Sequence, residues 1–156
     1  MFGGRIYTLT WDAATAISVA IDIFEVDPAV DKGVFVHELK IWQTTELGDA
    51  AEEIIPIRFV RGFTTSGSVG AAAVVAKKYT GDAAASFVAE CRNTTLASVG
   101  TPEEVGKDGW NVRVPYIWTP TPVDFVYSPN PILVVRMTAP ADVMTMEASM
   151  IVEEIG

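Results

Sequence analysis

The sequence has little of what catalysis and covalent cross-linking use. It contains a single cysteine, Cys91, and a single histidine, His37, among 156 residues. One cysteine excludes an internal disulfide, and one Cys with one His cannot make a structural zinc site within a chain. A Ser–His–Asp or Cys–His catalytic group would have to use His37. Because its neighbours Phe35 and Leu39 are apolar, we expect His37 to be a core or interface residue.

Positive charge and long apolar stretches are also scarce. The chain has 11 Lys and Arg against 20 Asp and Glu, a net charge of −9. Phosphate contacts need clustered Lys and Arg, so nucleic acid is not an expected partner. The longest apolar runs fall well short of the ~20 residues of a membrane span. The N-terminus shows no basic-then-apolar signal pattern, so we expect a soluble protein made in the cytosol.

The composition is typical of a globular domain that is large enough to bury a hydrophobic core. Apolar types make up 49% and charged types 20%, and a chain of this size suits one domain. We expect residues 12–156 to form that domain. Residues 1–11 are expected to form an N-terminal arm or a first strand.

A period of two dominates the sequence. Alternation of apolar and polar residues is typical of half-buried strands, and it places Trp42 on an outward face, opposite Ile41. It also places Phe35 and His37 on an inward face, and it favours core positions for Trp110 and Trp118. A weaker eighth run covers Ser86–Thr94. The seven clearest runs lie at 7–11, 17–23, 35–41, 55–59, 110–118, 133–138 and 144–153.

Seven or eight short strands with little helical pattern predict an all-β fold, an antiparallel sandwich or barrel. Eight strands favour a jelly-roll-like sandwich. An immunoglobulin-like sandwich is the alternative, although the Cys–Trp–Cys spacing of that fold is absent. Thr64–Ala85 is long and rich in Gly, Ser and Ala, which predicts an excursion loop. That loop either packs on a neighbouring molecule or moves freely.

The acidic residues form two clusters that could offer oxygen ligands to calcium. No calcium-loop spacing is present, and charge runs usually lie on a solvated surface, which is the favoured interpretation. No carboxylate pair stands out for glycoside hydrolysis. We therefore expect no enzymatic activity, no cofactor and no metal. The two clusters are Glu46, Asp49, Glu52 and Glu53, and then Glu103, Glu104 and Asp108.

Four segments resemble a known group of proteins: Ile41–Ala50, Arg61–Ser68, Asn93–Thr95 and Ala139–Met146. They are similar to segments of small acidic auxiliary head proteins of tailed bacteriophages and prophages, the capsid decoration or cement proteins. The resemblance spans about residues 17–154 and rests on turn and strand motifs, so no functional residue is carried over.

The resemblance implies a structural virion protein that binds and stabilises the outer surface of a phage head. Its partners would be the major capsid protein and itself, as a homotrimer. It would be synthesised in the host cytoplasm and would reside on the capsid exterior. Two other classes remain open: a carbohydrate- or receptor-binding module of a spike or tail, and a glycan-active enzyme with two carboxylates in a cleft.

Candidate contact residues come from the aromatic and basic positions. Trp and Tyr are frequent at interfaces, so Trp42 is a candidate, together with Phe63. Lys77, Lys78 and Tyr79 are the only bases and the only large aromatic residue of the 64–85 excursion. A basic pair beside a tyrosine could meet an acidic capsid patch. The arm Met1–Arg5 and the 64–85 excursion are the segments expected to hold the capsid.

Overall fold

The computed structural model describes residues 3–45, 52–124 and 126–156. These residues contain thirteen strands and one short 3-10 turn at Pro122–Asp124, with no α-helix among them. The strands are β1 (Arg5–Thr10), β2 (Thr15–Ile17), β3 (Ile21–Asp27), β4 (Gly33–Gln43), β5 (Ile54–Thr65), β6 (Ala71–Ala72), β7 (Val74–Lys77), β8 (Val88–Asn93), β9 (Ser98–Asn111), β10 (Tyr116–Trp118), β11 (Val126–Ser128), β12 (Ile132–Met137) and β13 (Met144–Ile155).

The strands form two antiparallel sheets that face each other across one core. The front sheet has the order β10-β4-β13-β1-β7, with β11 also pairing with β4 and β2 also pairing with β13. The back sheet has the order β6-β8-β3-β12-β5-β9. The predicted all-β antiparallel sandwich is confirmed.

The core lies between the sheets and is built by the alternation that the sequence displays. Along β13 every second residue from Met144 to Val152 is buried, and Tyr7 and Leu9 of β1 are fully buried. Burying such side chains stabilises the fold by about 1.5–3 kcal/mol each. Trp110 is fully buried, as predicted. Trp118 packs half-buried against Phe59, with ring centroids 4.4 Å apart.

The 17–23 run and the 110–118 run were each predicted to be one strand, and both predictions were wrong. Each run is divided between two strands. Ile17 ends β2 in the front sheet, whereas Ile21 begins β3 in the back sheet. The 110–118 run breaks in the same way, because the Val114 N–H bonds the Asn111 carbonyl at 3.1 Å in a turn between β9 and β10. In both places the chain crosses from one sheet to the other. The apolar alternation of the sequence continues through both crossings, but Val19 and Val114 within them are exposed.

The 64–85 segment is more regular than the predicted excursion loop. Thr64 and Thr65 still belong to β5, and the segment contains β6 and β7. β6 pairs with β8 in the back sheet, and β7 pairs with β1 in the front sheet. The Ala73 N–H bonds the Ala89 carbonyl at 3.0 Å between them. The segment thus closes one long side of the sandwich, where its backbone groups find partners that a free loop would lack.

The N-terminal segment contributes a strand. β1 lies between β13 and β7 in the front sheet, and the Gly4 N–H reaches the side chain of Glu153 at 2.7 Å. Of the expected arm Met1–Arg5, Met1 and Phe2 lie outside the described residues.

Candidate interaction site

The structure places the five predicted contact residues in three different environments. Lys77 ends β7, and Lys78 and Tyr79 follow it at an exposed edge of the front sheet. Trp42 is half-buried on the outer face of the same sheet, as predicted, but two strands, β13 and β1, separate its strand β4 from β7. Phe63 is only 5% exposed. The candidate site therefore reduces to the β7 edge.

Phe63 has a structural role that its sequence position did not indicate. It belongs to a small second cluster on the back sheet with Val60, Ala97, Ile132 and Val134. The guanidinium of Arg136 lies over its ring, 4.9 Å from the centroid. We therefore remove Phe63 from the set of candidate contacts.

His37 is on the opposite face from the one predicted. Val36 pairs with Val152 and Glu38 pairs with Ile151, so His37 is the extra residue of a β-bulge in β4. A bulge shifts the alternation by one residue. The inward residues are consequently Val34, Val36, Leu39 and Ile41.

His37 is joined to a buried carboxylate on the outer face of the front sheet. Its Nε2 lies 2.7 Å from Oε2 of Glu153, whose side chain is fully buried. The second oxygen, Oε1, accepts the Gly4 N–H. This cluster ties the N-terminal segment to β4 and β13, and it gives His37 a structural partner.

A second buried carboxylate, Asp22, is held by an arginine on the neighbouring strand. Nε of Arg136 donates to Oδ1 of Asp22 at 2.6 Å, and Nη2 donates to Oδ2 at 3.0 Å. The Ala97 N–H donates to Oδ2 at 2.8 Å, and the Ala97 carbonyl accepts from Arg136 at 3.0 Å. In the 17–23 run Asp22 alternates with the apolar residues, which predicts a solvent-exposed position for it. The pairing of β3 with β12 instead brings Arg136 beside it.

Two of the four segments singled out in the sequence, 61–68 and 93–95, meet at a third buried carboxylate. Glu25 is 2% exposed and accepts hydrogen bonds from the Ser66 hydroxyl and from the Gly67 N–H, the latter at 2.9 Å. The amide of Asn93 donates to Glu25 at 3.1 Å and to Glu90 at 2.7 Å. Ser66 and Gly67 come from the 61–68 segment and Asn93 from the 93–95 segment, so both segments serve the fold here.

The acidic clusters are engaged in ordinary surface contacts where the structure describes them. Glu103 pairs with Arg61 at 2.9 Å, and Glu104 lies 3.6 Å from Arg58. Asp108 accepts the hydroxyl of Tyr116 at 3.0 Å, and burial followed by this contact raises the pKa of that phenol.

The other acidic cluster is only partly described. Glu52 lies 3.9 Å from Arg113, and Glu53 accepts the Ala141 N–H at 3.0 Å. Glu46 and Asp49 lie outside the described residues. Within the three described ranges, no group of three or more His, Cys, Asp and Glu side chains is arranged to hold a metal ion.

The β7 edge is both exposed and apolar. All four residues of β7 are exposed, with Val74 at 52% and Val75 at 39%, and Tyr79 beyond the strand is 56% exposed. The Lys77 ammonium donates to the Asp82 carbonyl at 2.9 Å. The Asp82 N–H bonds the Tyr79 carbonyl at 3.1 Å in the turn that follows.

Three of the chain's 11 cations lie at this edge, and none of them forms an ion pair within the described ranges. Six of the 11 Lys and Arg side chains lie within 4.0 Å of a carboxylate: Lys40, Arg58, Arg61, Arg92, Arg113 and Arg136. Of the other five, Lys32 bonds the carbonyl of Gly156 and Lys107 lies on β9. The remaining three, Arg5, Lys77 and Lys78, lie on or next to β1 and β7. A −9 protein thus presents a small basic patch beside exposed valines.

The segment after β7 supports this edge from within. The Tyr7 hydroxyl donates to the Ala83 carbonyl at 3.1 Å, and Phe87 packs edge-on against the Tyr7 ring at 5.3 Å. The Ser86 N–H donates to Glu154 at 3.1 Å. Burial, then the charge of Glu154, raises the pKa of Tyr7, so its hydroxyl stays a hydrogen-bond donor at neutral pH.

Comparison with family models and with curated proteins finds no match for this chain.

No helix within residues 3–45, 52–124 and 126–156 is long and apolar enough to cross a membrane.

Proposed function

We propose that this protein is a capsid decoration protein that binds the outer surface of a tailed-phage head and stabilises it. It acts as a homotrimer without enzymatic activity or cofactor, and its partner is the major capsid protein. The four resembling segments support the proposal. The structural observation that carries it is the β7 edge, an exposed apolar strand with basic residues in a chain of net charge −9.

We infer further that the sandwich is a jelly roll with an insertion. Its eight main strands in chain order are β1, β3, β4, β5, β9, β10 with β11, β12 and β13. When these eight strands are numbered one to eight in chain order, the neighbours across the front sheet are strands one, eight, three and six. The neighbours across the back sheet are strands two, seven, four and five. This order is that of two interlocked Greek keys, as in the jelly rolls of viral capsid and lectin domains.

The insertion is where this chain departs from the eight-strand plan. Between the fourth and fifth main strands, the chain adds β6, β7 and β8. Fold alone does not specify function, which resides in sites added to a scaffold. Lys77, Lys78 and Tyr79 all lie in the insertion, which supports its role as the contact surface.

The test is binding to heads of the phage that encodes the chain, prepared without this protein. We expect saturable, stoichiometric co-sedimentation, a higher temperature of head disruption, and a free-protein mass in sedimentation of about three times 16.8 kDa. Lys78→Glu combined with Tyr79→Ser should weaken binding at least tenfold. The matched control Lys107→Glu on β9 should not. Heads that take up no protein at micromolar concentration would refute the proposed function.

Deletion of residues 66–80 would not isolate the contact surface, because it would also disturb the fold. It would remove Ser66 and Gly67, which hydrogen-bond the buried Glu25, together with β6 and β7. Point substitutions at exposed positions leave these contacts in place.

A carbohydrate-binding role is the second candidate, and one observation favours it. A cleft of about 520 Å³ lies between β9 and residues 118–124, and is lined by Lys107, Trp118 and Asp124 among others. An aromatic ring with polar neighbours can bind a sugar. Glycan-array binding that Trp118→Ala abolishes, with no uptake on heads, would favour this role over decoration.

A further inference from the structure

We propose that the free edge of β7 binds an extended acidic segment of a partner protein by strand addition. This inference specifies how the decoration contact is made, and it therefore rests on the proposed function. It is carried by three observations: the direction of the backbone groups of β7, the absence of proline and of a register shift on this edge, and the lysines beside it.

The backbone of β7 leaves one row of hydrogen-bonding groups unused. The Lys78 N–H bonds the Ile6 carbonyl at 2.9 Å, and Tyr7 lies opposite Lys77 in the same register. In an antiparallel pair, hydrogen-bonded and non-hydrogen-bonded positions alternate. The N–H and C=O groups of Val75 and Lys77 consequently point away from β1. Within the described ranges β7 pairs with β1 alone, so this row is open to an added strand.

The β7 edge has fewer of the features by which edge strands usually avoid pairing than the β9 edge has. Proteins protect edges with proline, charge, bulges and twisted backbone. β9, the edge on the opposite side, has Pro102, several charged residues and two register shifts against β5. β7 has the sequence Val-Val-Ala-Lys, without proline, and pairs with β1 without a register shift. Its protecting features are its length of four residues and the charge of Lys77.

The charges beside β7 favour an acidic occupant. Lys78 lies on the outer face next to Ile6, Lys77 lies on the inner face next to Tyr7, and Arg5 is exposed on the neighbouring strand. Three carboxylates lie nearby: Asp82, Glu154, which accepts from Ser86, and Glu153, which lies opposite Ile6 and is bonded to His37. Paired potentials of opposite sign steer and orient association. A second copy of this chain is a poorer occupant, because its own β7 edge carries the same lysines and no acidic residue, and each copy carries −9.

The geometry defines what the added strand should contain. Residues beside Val74 and Val75 meet exposed apolar side chains, whereas residues toward Lys77 and Lys78 meet positive charge. An extended segment with small apolar residues at one end and Asp or Glu at the other fits both. One such contact is short and should be weak by itself. In a trimer, three contacts on one head would act together and raise the overall affinity.

The experiment uses the full-length protein and a fluorescent eight-residue peptide of sequence Glu-Asp-Thr-Val-Thr-Val-Thr-Ser. We expect saturable binding detected by anisotropy, and at least tenfold slower hydrogen exchange at the amides of Val75 and Lys77 in the complex. Amides of the outer edge of β9 should not change. Two peptide controls should bind at least tenfold more weakly: one with Lys replacing Glu and Asp, and one N-methylated at alternate residues.

Two protein variants test the edge directly. Val75→Pro removes an outward N–H that β1 does not use, and edge strands tolerate proline at such positions. Lys78→Glu reverses one charge and leaves the backbone intact. Each should weaken peptide binding at least tenfold, whereas Lys107→Glu on β9 should leave it unchanged.

The outcomes separate this inference from the function on which it rests. Peptide binding that responds to Val75→Pro and Lys78→Glu supports strand addition. Failure of the acidic peptide to bind at millimolar concentration, or a Val75→Pro protein that decorates heads as well as the original chain, overturns strand addition and leaves the decoration function in place. Concentration-dependent dimerisation that Val75→Pro abolishes would also overturn it, in favour of a second copy.

Discussion

The two long sides of the sandwich are closed in different ways. On one side β9 runs along β5 for most of its 14 residues, with two bulges and exposed ion pairs. On the other side the inserted strands β6 and β7 close the gap between the sheets, and each pairs over no more than four residues. The long pairing and the bulges of the β9 side disfavour the addition of another strand. The β6–β7 side has few paired residues and an unpaired strand edge, which is what a contact surface requires.

The largest expected effect comes from removing the buried ion pair that anchors the start of the β9 side. Arg136→Met leaves the carboxylate of Asp22, which is fully buried, without its counter-ion. Breaking such a pair costs about 3–5 kcal/mol, so we expect a loss of that size in the free energy of unfolding. Urea denaturation measures it, and Arg58→Met, at the position opposite Arg136 on β5, is the control. Arg58 and Glu104 are both 42% exposed, so that control should cost about 0–1 kcal/mol.

Cys91 provides an independent readout for the same variant. Its side chain is fully buried, and burial raises the pKa of the thiol to about 11. The folded chain should therefore react slowly with a disulfide reagent at pH 8. Faster labelling in Arg136→Met would follow the more frequent opening, whereas labelling at the original rate would contradict the predicted loss of stability.

The second prediction concerns the bulge that joins β5 and β9. Gly62 has φ +100°, and a Cβ there would lie 2.2 Å from the Thr101 carbonyl oxygen. Gly62→Ala combines a backbone conformation unfavourable to L residues with overpacking against backbone, together about 2–4 kcal/mol. Thermal unfolding measures the loss. Gly81→Ala, on the β7 side, meets nothing within 4 Å and should stay within about 0.5 kcal/mol. Equal losses of stability from Gly62→Ala and Gly81→Ala would contradict the proposed difference between the β9 side and the β7 side.

Much of the fold could be predicted from alternation alone, and the errors have physical causes. Strands such as β13 keep one face on the core along their length, so period two identifies them. Alternation does not register a crossing between sheets, as at residues 18–20, or a bulge such as that at His37, because neither interrupts the apolar pattern.

The candidate site could be predicted only in part. Lys77, Lys78 and Tyr79 stood out by composition, and they do lie together at an exposed edge. The pairing of β7 with β1, which brings Arg5 beside them, joins residues about 70 positions apart through long-range contacts. Such pairings depend on tertiary packing, which local pattern does not encode. The same holds for the link between Glu25 and Asn93.

The third prediction tests how firmly the β7 side is held. Tyr7→Phe removes the hydroxyl that donates to the Ala83 carbonyl and keeps the ring contact with Phe87. Since Ala83 is exposed, water can replace the lost donor, and we expect a cost of about 0.5–1.5 kcal/mol. Hydrogen exchange over residues 79–87 should accelerate, while exchange in β9 should not. A loss comparable to that of Arg136→Met would show that both sides are equally anchored.

The smallest expected effect is a pH-dependent one, at the ion pair that ties β8 to the turn after β1. Arg92 donates to both carboxylate oxygens of Asp12, at 2.9 and 2.8 Å, and these hydrogen bonds lower the pKa of Asp12 from 3.8 to about 2. A depressed pKa in the folded state contributes stability that is fully present above the unfolded value and is lost as pH falls through the folded one. Asp12 is 36% exposed, so solvent screening limits the contribution to about 0.5–1 kcal/mol.

We therefore expect Asp12→Asn to be less stable than the original chain by that amount at pH 6, with the difference shrinking between pH 4 and pH 2. In an Arg92→Met background the same substitution should have no such pH dependence. A difference that stayed constant down to pH 2 would mean that the pair does not hold β8, and that the β7 side depends on its backbone pairing alone.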